Sequence, residues 1–255
     1  MNNIDTIINE KIQKNPKIEI FNITFDSKKL WVKRARKTGS NMFHKLMYKL
    51  TKNPLLVPVQ NKKPKESIEY EANKLARLHA LNISVPKLIA KEENYFIIED
   101  CGSTVAHLFY HNQIKDQMEL CKEVIRQLAA LHNINEFHGG SQIKNFTYLD
   151  GNIYFIDFEE SFDKSIDINE LQFRDLFLFL FSIQKMNIDA NHHSLIELYN
   201  KLTKKRDTIQ RLHSLVKKVS FLMKLLENKY IWNLVDKDTK SVYKLMLGFK
   251  NISSK

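Results

Sequence analysis

The apolar residues of this 255-residue chain follow strand spacing mainly in its first part and helical spacing in its last part. Alternating segments precede residue 100, a further strand pair is predicted between Asn145 and Asp157, and every segment after Ser161 has helical periodicity. Strands followed by a run of helices are typical of α+β architecture. We therefore predict a bilobal α+β fold with a small β-rich N-terminal lobe, residues 1–102, and a larger helical C-terminal lobe, residues 103–255.

The first lobe is predicted to begin with a hairpin. Residues 17–36 contain two alternating apolar segments around the turn residues Asp26-Ser27-Lys28. Further strands are predicted after Pro86 and at Tyr95–Ile98. Helical spacing predicts helices at 41–52, 66–81, 117–133, 170–182, 192–203, 206–228 and 237–249.

The cysteine content and the N-terminal segment indicate a protein of a reducing compartment. The chain has two cysteines, Cys101 and Cys121, and its sequence has no Cys/His cluster of the kind that binds zinc. The N-terminus carries acids and lacks the long apolar core of a secretory signal. The longest strongly apolar segment, Leu176–Phe181, is far shorter than the roughly 20 residues of a membrane span. We therefore expect a cytoplasmic protein, and we expect it to be a monomer.

The net charge of +11 is concentrated in one segment of the chain. Residues 28–65 contain twelve lysines and arginines and no acid. This segment is either a solvated face or a surface for a polyanion such as nucleic acid, anionic lipid or a phosphorylated glycolipid. Its predicted helix at 41–52 lies in a basic insertion at about 37–65. That helix either packs its apolar stripe on the first lobe or binds an anionic membrane, which would place the protein at the inner face of the cytoplasmic membrane.

Residues 136–161 contain the pattern that most strongly indicates a chemical function. His138 is followed by a glycine pair and, seven residues later, by Asn145, and a hairpin turning at Asp150-Gly151 then leads to Asp157. Such a hairpin can bring an amide and a carboxylate onto one divalent metal ion. Phosphoryl transfer needs hard oxygen ligands of this kind. The segment therefore predicts a metal site suited to phosphoryl transfer.

Over residues 17–183 the sequence resembles the protein-kinase-like fold, in its compact bacterial branch near the lipopolysaccharide core kinases (the Kdo and heptose kinases) and the small atypical kinases. The catalytic loop of that fold, His-x-Asp-x-x-x-x-Asn, matches His138 and Asn145. Its metal-binding Asp-Phe-Gly appears as Asp157-Phe158-Glu159. The resemblance implies ATP and Mg²⁺ as cofactors, with Asn145 and Asp157 as the metal ligands.

The resemblance also gives roles to residues outside this segment. Lys33, in the second strand of the hairpin, would hold the nucleotide phosphates, and Glu71 on the following helix would be its ion-pair partner. We prefer Glu71 to Glu69 because Glu71 lies on the apolar face of that helix. The segment Glu99–Gly102, with Glu99 and Cys101 as cofactor-binding residues, would be the hinge whose backbone bonds adenine. Asp175, in the pair Arg174-Asp175, would help to tie its helix to the catalytic loop.

Two departures from the family pattern concern activity. Gly140 stands where the family has its catalytic Asp, and glycine cannot accept a proton from an acceptor hydroxyl. No glycine precedes Gly39 in the sequence, so the Gly-rich phosphate loop is absent. The residues that would serve catalysis are His138, Gln142, Asn145, Asp157 and Glu159, with Gln142 or Glu159 at the acceptor.

Three functions stay open from the sequence. The first is an ATP- and Mg-dependent phosphotransferase acting on a phosphorylated sugar or a cell-envelope glycolipid, which the retained Lys33, Glu71, Asn145 and Asp157 favour. The second is a pseudokinase that binds nucleotide or a partner and regulates, which Gly140 favours. The third is nucleic-acid binding through the basic segment, which has the charge but no recognisable motif. We therefore do not expect nucleic acid as the partner.

Overall fold

The structure, a computed structural model, describes residues 2–40, 48–49 and 53–252. The helices and strands that it describes are, in chain order, α1 (Asn2–Lys14), β1 (Ile20–Phe25), β2 (Lys28–Arg34), α2 (Pro64–Ala80), β3 (Leu88–Lys91), β4 (Tyr95–Glu99), β5 (Ser103–Thr104), α3 (Val105–Tyr110), α4 (Gln117–Asn133), β6 (Phe146–Leu149), β7 (Asn152–Phe155), α5 (Ile168–Lys185), α6 (His192–Thr203), α7 (Thr208–Leu226), α8 (Lys229–Leu234) and α9 (Lys237–Lys250). Short 3₁₀ turns lie at Pro54–Leu56 and Ile143–Asn145.

Strands β1 and β2 form the hairpin that the sequence predicts. They belong to an antiparallel four-stranded sheet in the order β1-β2-β4-β3. Asp26 and Ser27 form the turn with φ values of 47° and 60°, and left-handed values at both residues are typical of the type I′ turns that suit two-residue hairpins. In this sheet Lys33 of β2 lies opposite Ile20 of β1 and Phe96 of β4. The sheet therefore fixes Lys33 between two neighbouring strands.

Helix α1, which the sequence analysis did not predict, packs on this sheet. Ile4 and Ile8 are buried in one core cluster with Ile23, Val32 and Ile97. Their spacing of four residues places both isoleucines on one face of the helix. Burying such a side chain stabilises a protein by about 1.5–3 kcal/mol, so α1 contributes to the stability of the sheet.

A second sheet, in the order β5-β6-β7, leads to the segment singled out by the sequence. Strands β6 and β7 are the hairpin predicted between Asn145 and Asp157, and Asp150 in its turn has a φ of 48°. Gly102, just before β5, has a φ of 83°, and a Cβ atom there would lie 2.2 Å from the carbonyl oxygen of Tyr148. Only glycine combines this φ with so close an approach of two backbones.

The helices after β5 follow the sequence periodicity closely. Helices α4 and α6 have the predicted bounds, and α5 and α9 extend slightly beyond theirs. Helices α3 and α8, of six residues each, were not predicted because they are too short to show a period. Asp116, Asn191 and Asp236 cap α4, α6 and α9, each accepting a hydrogen bond from the backbone N–H three residues later. Such caps satisfy N–H groups that have no partner within the helix.

The described residues form two compact units. The first contains residues within 1–103, 138–140 and 147–167, and the second contains residues within 104–137, 141–146 and 168–255. The division of the chain at residue 102 stays a prediction. The predicted helix at 41–52 lies outside the described residues except for 48–49. Within the described ranges, no helix combines the length and the apolar character needed to cross a membrane.

Candidate functional site

Lys33 is the centre of a charged cluster in the first unit. Its position on β2 leaves the residue only 7% exposed. The Nζ atom lies 2.8 Å from the Glu71 carboxylate and 2.5 Å from Oδ1 of Asp157. An ammonium group can be buried in this way only with close partners, because burial of an unpaired charge is very costly. The ion pair between Lys33 and Glu71 that the sequence analysis expected is therefore present.

Glu71 reaches Lys33 from α2. It shares the inward face of this helix with Leu75 and Leu78, and all three are buried, whereas Glu69 is exposed. The Glu71 carboxylate also accepts a hydrogen bond from the backbone N–H of Phe158 at 3.1 Å. It thereby joins β2 to the chain that follows Asp157.

The backbone around Asp157 is held by His138. Nε2 of His138 donates to the Ile156 carbonyl oxygen at 2.9 Å, and Nδ1 accepts from the Gly140 N–H at 3.1 Å. Because a carbonyl can only accept and a backbone N–H can only donate, these partners set the tautomer. Asp157 itself has a φ of 69°, a region that Asp and Asn enter more readily than most residues and that is common at functional sites. His138 therefore connects the backbone just before Asp157 to Gly140, and its part in catalysis stays a prediction.

Glu159, which replaces the glycine of the kinase motif, is bound by Arg36. Nε and Nη2 of Arg36 lie 2.8 Å and 2.5 Å from the two carboxylate oxygens of Glu159, which is the bidentate geometry of strong arginine–carboxylate pairs. Arg36 Nη1 also lies 3.1 Å from Glu19, and Glu159 lies 3.7 Å from Lys33. Arg36 was not among the predicted site residues, and the available signal was its place three residues after Lys33, just beyond the end of β2.

The segment before α2 contacts the chain after Asp157. Nζ of Lys62 donates to the Glu159 carbonyl oxygen at 2.9 Å and to Oγ of Ser161 at 2.5 Å. The backbone N–H of Gln60 donates to the Ser161 carbonyl oxygen at 2.8 Å. Burial lowers the pKa of Lys62. Lys62 therefore contacts the chain that follows Asp157 and is not an ordinary surface lysine.

Burial and neighbouring charges compete within the cluster. Desolvation alone would lower the pKa of Lys33, but the carboxylates of Glu71, Asp157 and Glu159 outweigh it and keep this pKa above its ordinary value. Burial raises the pKa of Glu71. Burial would also raise the pKa of Asp157, yet Lys33 and Arg36 hold it below its ordinary value. Lys33 and Asp157 are therefore both charged at neutral pH.

The cluster also offers oxygen ligands for a metal ion. Glu71, Asp157 and Glu159 each have a carboxylate oxygen within 4.8 Å of those of the other two. Mg²⁺ prefers oxygen ligands and usually takes one or two carboxylates from a protein, so the chemistry of this set fits Mg²⁺. Asn145, the other predicted ligand, is buried in the 3₁₀ turn of the second unit. Its pairing with Asp157 on one metal ion stays a prediction.

The predicted hinge residues lie at the end of β4. Oε1 of Glu99 accepts a hydrogen bond from the Lys87 backbone N–H at 2.8 Å, and Cys101 is buried. Asp100 accepts from the indole N–H of Trp31 at 2.6 Å. These bonds hold the segment against β2 and the start of β3. Adenine binding by Glu99 and Cys101 stays a prediction.

The two glycines after His138 differ in conformation. Gly139 has a φ of 101°, and a Cβ atom there would lie 3.0 Å from Cβ of Glu160. Gly140 is not among the described glycines with positive φ. The backbone therefore requires glycine at position 139, whereas the φ value at position 140, where the kinase pattern has its Asp, does not. Gln142 lies just before the 3₁₀ turn of the second unit, and its role at the acceptor stays a prediction.

Comparison with known proteins identifies the family of this chain. The sequence profile of the RIO domain matches residues 19–195, more than half of the chain. The chain belongs to the RIO domain family. Membership confirms the predicted fold class, which is a protein-kinase-like α+β fold with a small β-sheet N-terminal lobe and a helical C-terminal lobe. The narrower assignment to the lipopolysaccharide core kinases stays a prediction.

Two curated relatives of this RIO domain protein have similar levels of identity. An uncharacterized protein of Haemophilus influenzae is 26% identical over 178 residues, which cover 69% of this chain and 67% of that protein. The KEOPS complex subunit Bud32 of Pyrococcus abyssi is 28% identical over 137 residues, which cover 52% of this chain and 59% of that protein. The matched part is thus little more than half of the Bud32 length.

A solved structure gives a weaker likeness. It is that of a divergent kinase lacking the glycine-rich loop, which regulates membrane ultrastructure of the Toxoplasma parasitophorous vacuole. The TM-score is 0.46 at 11% identity, and the match covers 77% of this chain and 75% of that chain. At this level the likeness supports no statement about the function of the RIO domain protein.

Proposed function

We propose that this RIO domain protein is an ATP-dependent phosphotransferase that uses Mg²⁺. The observation that carries the proposal is the buried contact of Lys33 with both Glu71 and Asp157. A buried ion pair is a poor device for stability alone, because apolar residues of similar volume often stabilise a fold as well or better. Binding of a charged ligand explains why Lys33, Glu71 and Asp157 are placed together, whereas stability alone does not.

Each residue of the cluster has a role in this proposal. Lys33 provides a positive charge for the nucleotide phosphates, and Asp157 provides oxygen for Mg²⁺, which neutralises charge on the transferred phosphoryl group. Glu71 keeps Lys33 in place, since its carboxylate is anchored by the Phe158 N–H. Arg36, released from Glu159, is a second phosphate-binding cation in a chain that lacks a Gly-rich loop.

For the acceptor we propose a phosphorylated sugar or a cell-envelope glycolipid. The support is the set of exposed lysines in the described parts of the basic segment, residues 28–40, 48–49 and 53–65, which include Lys28, Lys37 and Lys63. A surface of one charge sign raises the local concentration of an oppositely charged substrate. Gln142 or Glu159 would orient the acceptor hydroxyl in place of the missing Asp.

A pseudokinase is the second candidate, and Gly140 is the observation that favours it. A general base typically contributes about 10²–10⁴-fold to a rate. Positioning and charge neutralisation supply most of the catalysis of phosphoryl transfer. The lack of a carboxylate at position 140 therefore lowers the expected rate without removing the reaction.

The test is nucleotide binding with and without Mg²⁺, followed by transfer of labelled γ-phosphate, on wild type and Asp157→Asn. Asn tolerates left-handed φ values as Asp does, so this variant removes the charge and keeps the backbone. Asp150→Asn is the matched control, because Asp150 is exposed and has a φ of 48°. We expect Asp157→Asn to lose all measurable transfer and Asp150→Asn to behave as wild type.

One outcome would contradict the proposal of a phosphotransferase. If wild type and Asp157→Asn bind ATP equally, and neither transfers phosphate to phosphorylated sugars or envelope lipids, the protein is a pseudokinase.

A further inference from the structure

Helices α7 and α8 expose several large apolar side chains to solvent. Phe221, Leu222 and Leu225 on α7, and Tyr230 and Leu234 on α8, are between 42% and 86% exposed. They are five of the eleven large exposed hydrophobic residues that the described part of the chain contains. Single exposed apolar residues are ordinary, whereas a group of them indicates an interaction surface.

The exposed residues of α7, Phe221, Leu222 and Leu225, do not belong to the side of the helix that faces the core. That side consists of Leu212, Leu215, Val216 and Met223, which are all buried. A surface helix normally presents polar residues on its opposite face. Helix α7 is therefore apolar on two sides near its C-terminal end, and only one of them is covered.

Lysines lie next to the exposed apolar residues along the chain. Lys217, Lys218, Lys224 and Lys229 are exposed, and residues 217–229 contain one acid, Glu227. We call this set the α7–α8 surface, and its members are Lys217, Lys218, Phe221, Leu222, Lys224, Leu225, Lys229, Tyr230 and Leu234. It lies beyond residue 195, where the RIO domain match ends.

Positive charge continues at the N-terminal end of α7. A concavity of about 590 Å³ is lined there by Asn200, Lys201, Lys204, Lys205, Arg206, Ile209 and Gln210. Gln210, Lys217 and Phe221 are spaced by seven and four residues, which places them along one stripe of the helix. The stripe therefore runs from the basic concavity through Lys217 to the exposed Phe221.

We propose that the α7–α8 surface binds the surface of an anionic lipid membrane. Lysines beside exposed apolar side chains match this partner, since the apolar groups enter the headgroup boundary while the lysines contact anionic headgroups. Nucleic acid fits less well, because single strands are bound by stacking on aromatic rings and three of the five apolar residues are leucines. The proposal does not depend on the proposed phosphotransfer.

The test is co-sedimentation of the full chain with phosphatidylcholine vesicles, with and without phosphatidylglycerol, at low and high salt. We expect binding only to the anionic vesicles, weakened by salt. Phe221→Ser combined with Leu225→Ser should weaken binding about ten-fold or more. Leu81→Ser combined with Ile89→Ser is the matched control, because both residues are exposed and belong to the first unit. This control should bind as wild type does.

Charge variants separate this surface from the basic segment 28–65. A lysine close to an anionic membrane contributes about five-fold to binding, so Lys217→Glu, Lys218→Glu and Lys224→Glu together should reduce it by about 100-fold or more. The comparison variant carries Lys28→Glu, Lys37→Glu and Lys65→Glu. Loss of binding in this comparison variant alone would overturn the proposal.

Two further outcomes would also overturn it. One is a wild-type protein that does not sediment with anionic vesicles. The other is a wild-type dimer in analytical ultracentrifugation that the Phe221/Leu225 variant converts to a monomer without a change in vesicle binding, since a second copy of the chain would then cover the surface. Thermal melts check that each variant is folded. Because the substituted residues are exposed, we expect the Tm of each variant to equal that of wild type.

Discussion

The charged cluster around Lys33 and the polar network around His132 are both buried, but their groups are paired differently. In the cluster, Lys33 contacts Glu71, Asp157 and Glu159 at once. In the network, which belongs to the second unit, Nδ1 of His132 lies 2.7 Å from the Tyr199 hydroxyl and Nε2 lies 3.4 Å from Asp175. The side chains of His132 and Asp175 are fully buried, whereas that of Asp157 is 27% exposed.

This difference indicates that the groups of the Lys33 cluster can change partners when a ligand binds, whereas the His132 network stabilises the fold. The acids of the cluster compete for the same cations, and Asp157 can be reached from solvent, so an incoming phosphate or metal ion can replace one contact with another. In the network, Ser141 Oγ donates to the Asp175 carbonyl oxygen at 2.5 Å. This bond ties α5 to Ser141, which directly follows Gly140. The tie between Asp175 and the catalytic-loop segment that the sequence analysis expected is therefore present. We expect changes in the cluster to alter ligand binding and changes in the network to alter stability alone.

The largest effect is expected for Lys33→Met. Removing one partner of a buried ion pair costs about 3–5 kcal/mol, and here it leaves three carboxylates close together. We expect a large fall in the free energy of unfolding in denaturant titrations and loss of Mg-ATP binding in calorimetry.

Lys65→Met is the control for Lys33→Met. The ion pair of Lys65 with Glu93 is exposed on both sides, and exposed pairs contribute about 0–1 kcal/mol. Lys62 would be a poor control because it bonds Glu159 and Ser161. Equal Mg-ATP affinities for Lys33→Met and Lys65→Met would contradict the role of Lys33.

The second prediction concerns Tyr199→Phe in the network. This change leaves Nδ1 of the buried His132 without its hydroxyl partner, and an unsatisfied buried polar group costs about 1–3 kcal/mol. We expect a lower free energy of unfolding and an unchanged affinity for Mg-ATP. Tyr230→Phe, at a position that is 83% exposed, should change neither. A weaker nucleotide affinity in Tyr199→Phe would show that the network does more than hold the fold.

Local patterns in the sequence predicted much of the fold. Alternation and turn residues gave the β1–β2 hairpin, and helical spacing gave the bounds of α4 and the preference for Glu71 over Glu69. These features depend on residues close in sequence. Helix α1 was missed although Ile4 and Ile8 are spaced as on a helix face.

The charged cluster was only partly predictable. Lys33, Glu71 and Asp157 came from the order of kinase motifs, because that order is shared by the family. The pair of Arg36 with Glu159 joins residues 123 positions apart, and no periodicity reports such a contact. The role of Lys62 was missed for the same reason, since its partners Glu159 and Ser161 lie far along the chain.

The third prediction tests competition within the cluster through Glu159→Gln. Loss of this carboxylate removes the bidentate partner of Arg36 and one acid near Lys33, so metal-free ATP should bind about ten-fold more tightly, a change of about 1.4 kcal/mol. Phosphate transfer should fall in part and not be lost, because Asp157 is still present. Glu19→Gln, which removes the more exposed partner of Arg36, is the control and should have a smaller effect on both. Weaker binding of metal-free ATP by Glu159→Gln would show that Glu159 does not compete with phosphate.

The smallest expected effect is on the pH dependence of stability, through His132. Burial lowers the pKa of His132 below its ordinary value, and the nearby Asp175 offsets this only in part. When the pH falls below about 6.5, the ordinary pKa of His, the unfolded chain takes up a proton that folded His132 does not. Stability is therefore present above that pH and falls as the pH decreases toward the folded pKa, by at most about 1.4 kcal/mol per pH unit.

His132→Gln should remove this part of the slope in unfolding titrations between pH 7.5 and pH 5. Because burial also lowers the pKa of His192, some slope should stay in the variant. A His132→Gln slope equal to that of wild type would mean that His132 takes up a proton in the folded network as readily as in the unfolded chain. At low pH the network would then contain an ion pair with Asp175 and, like the Lys33 cluster, would depend on charge.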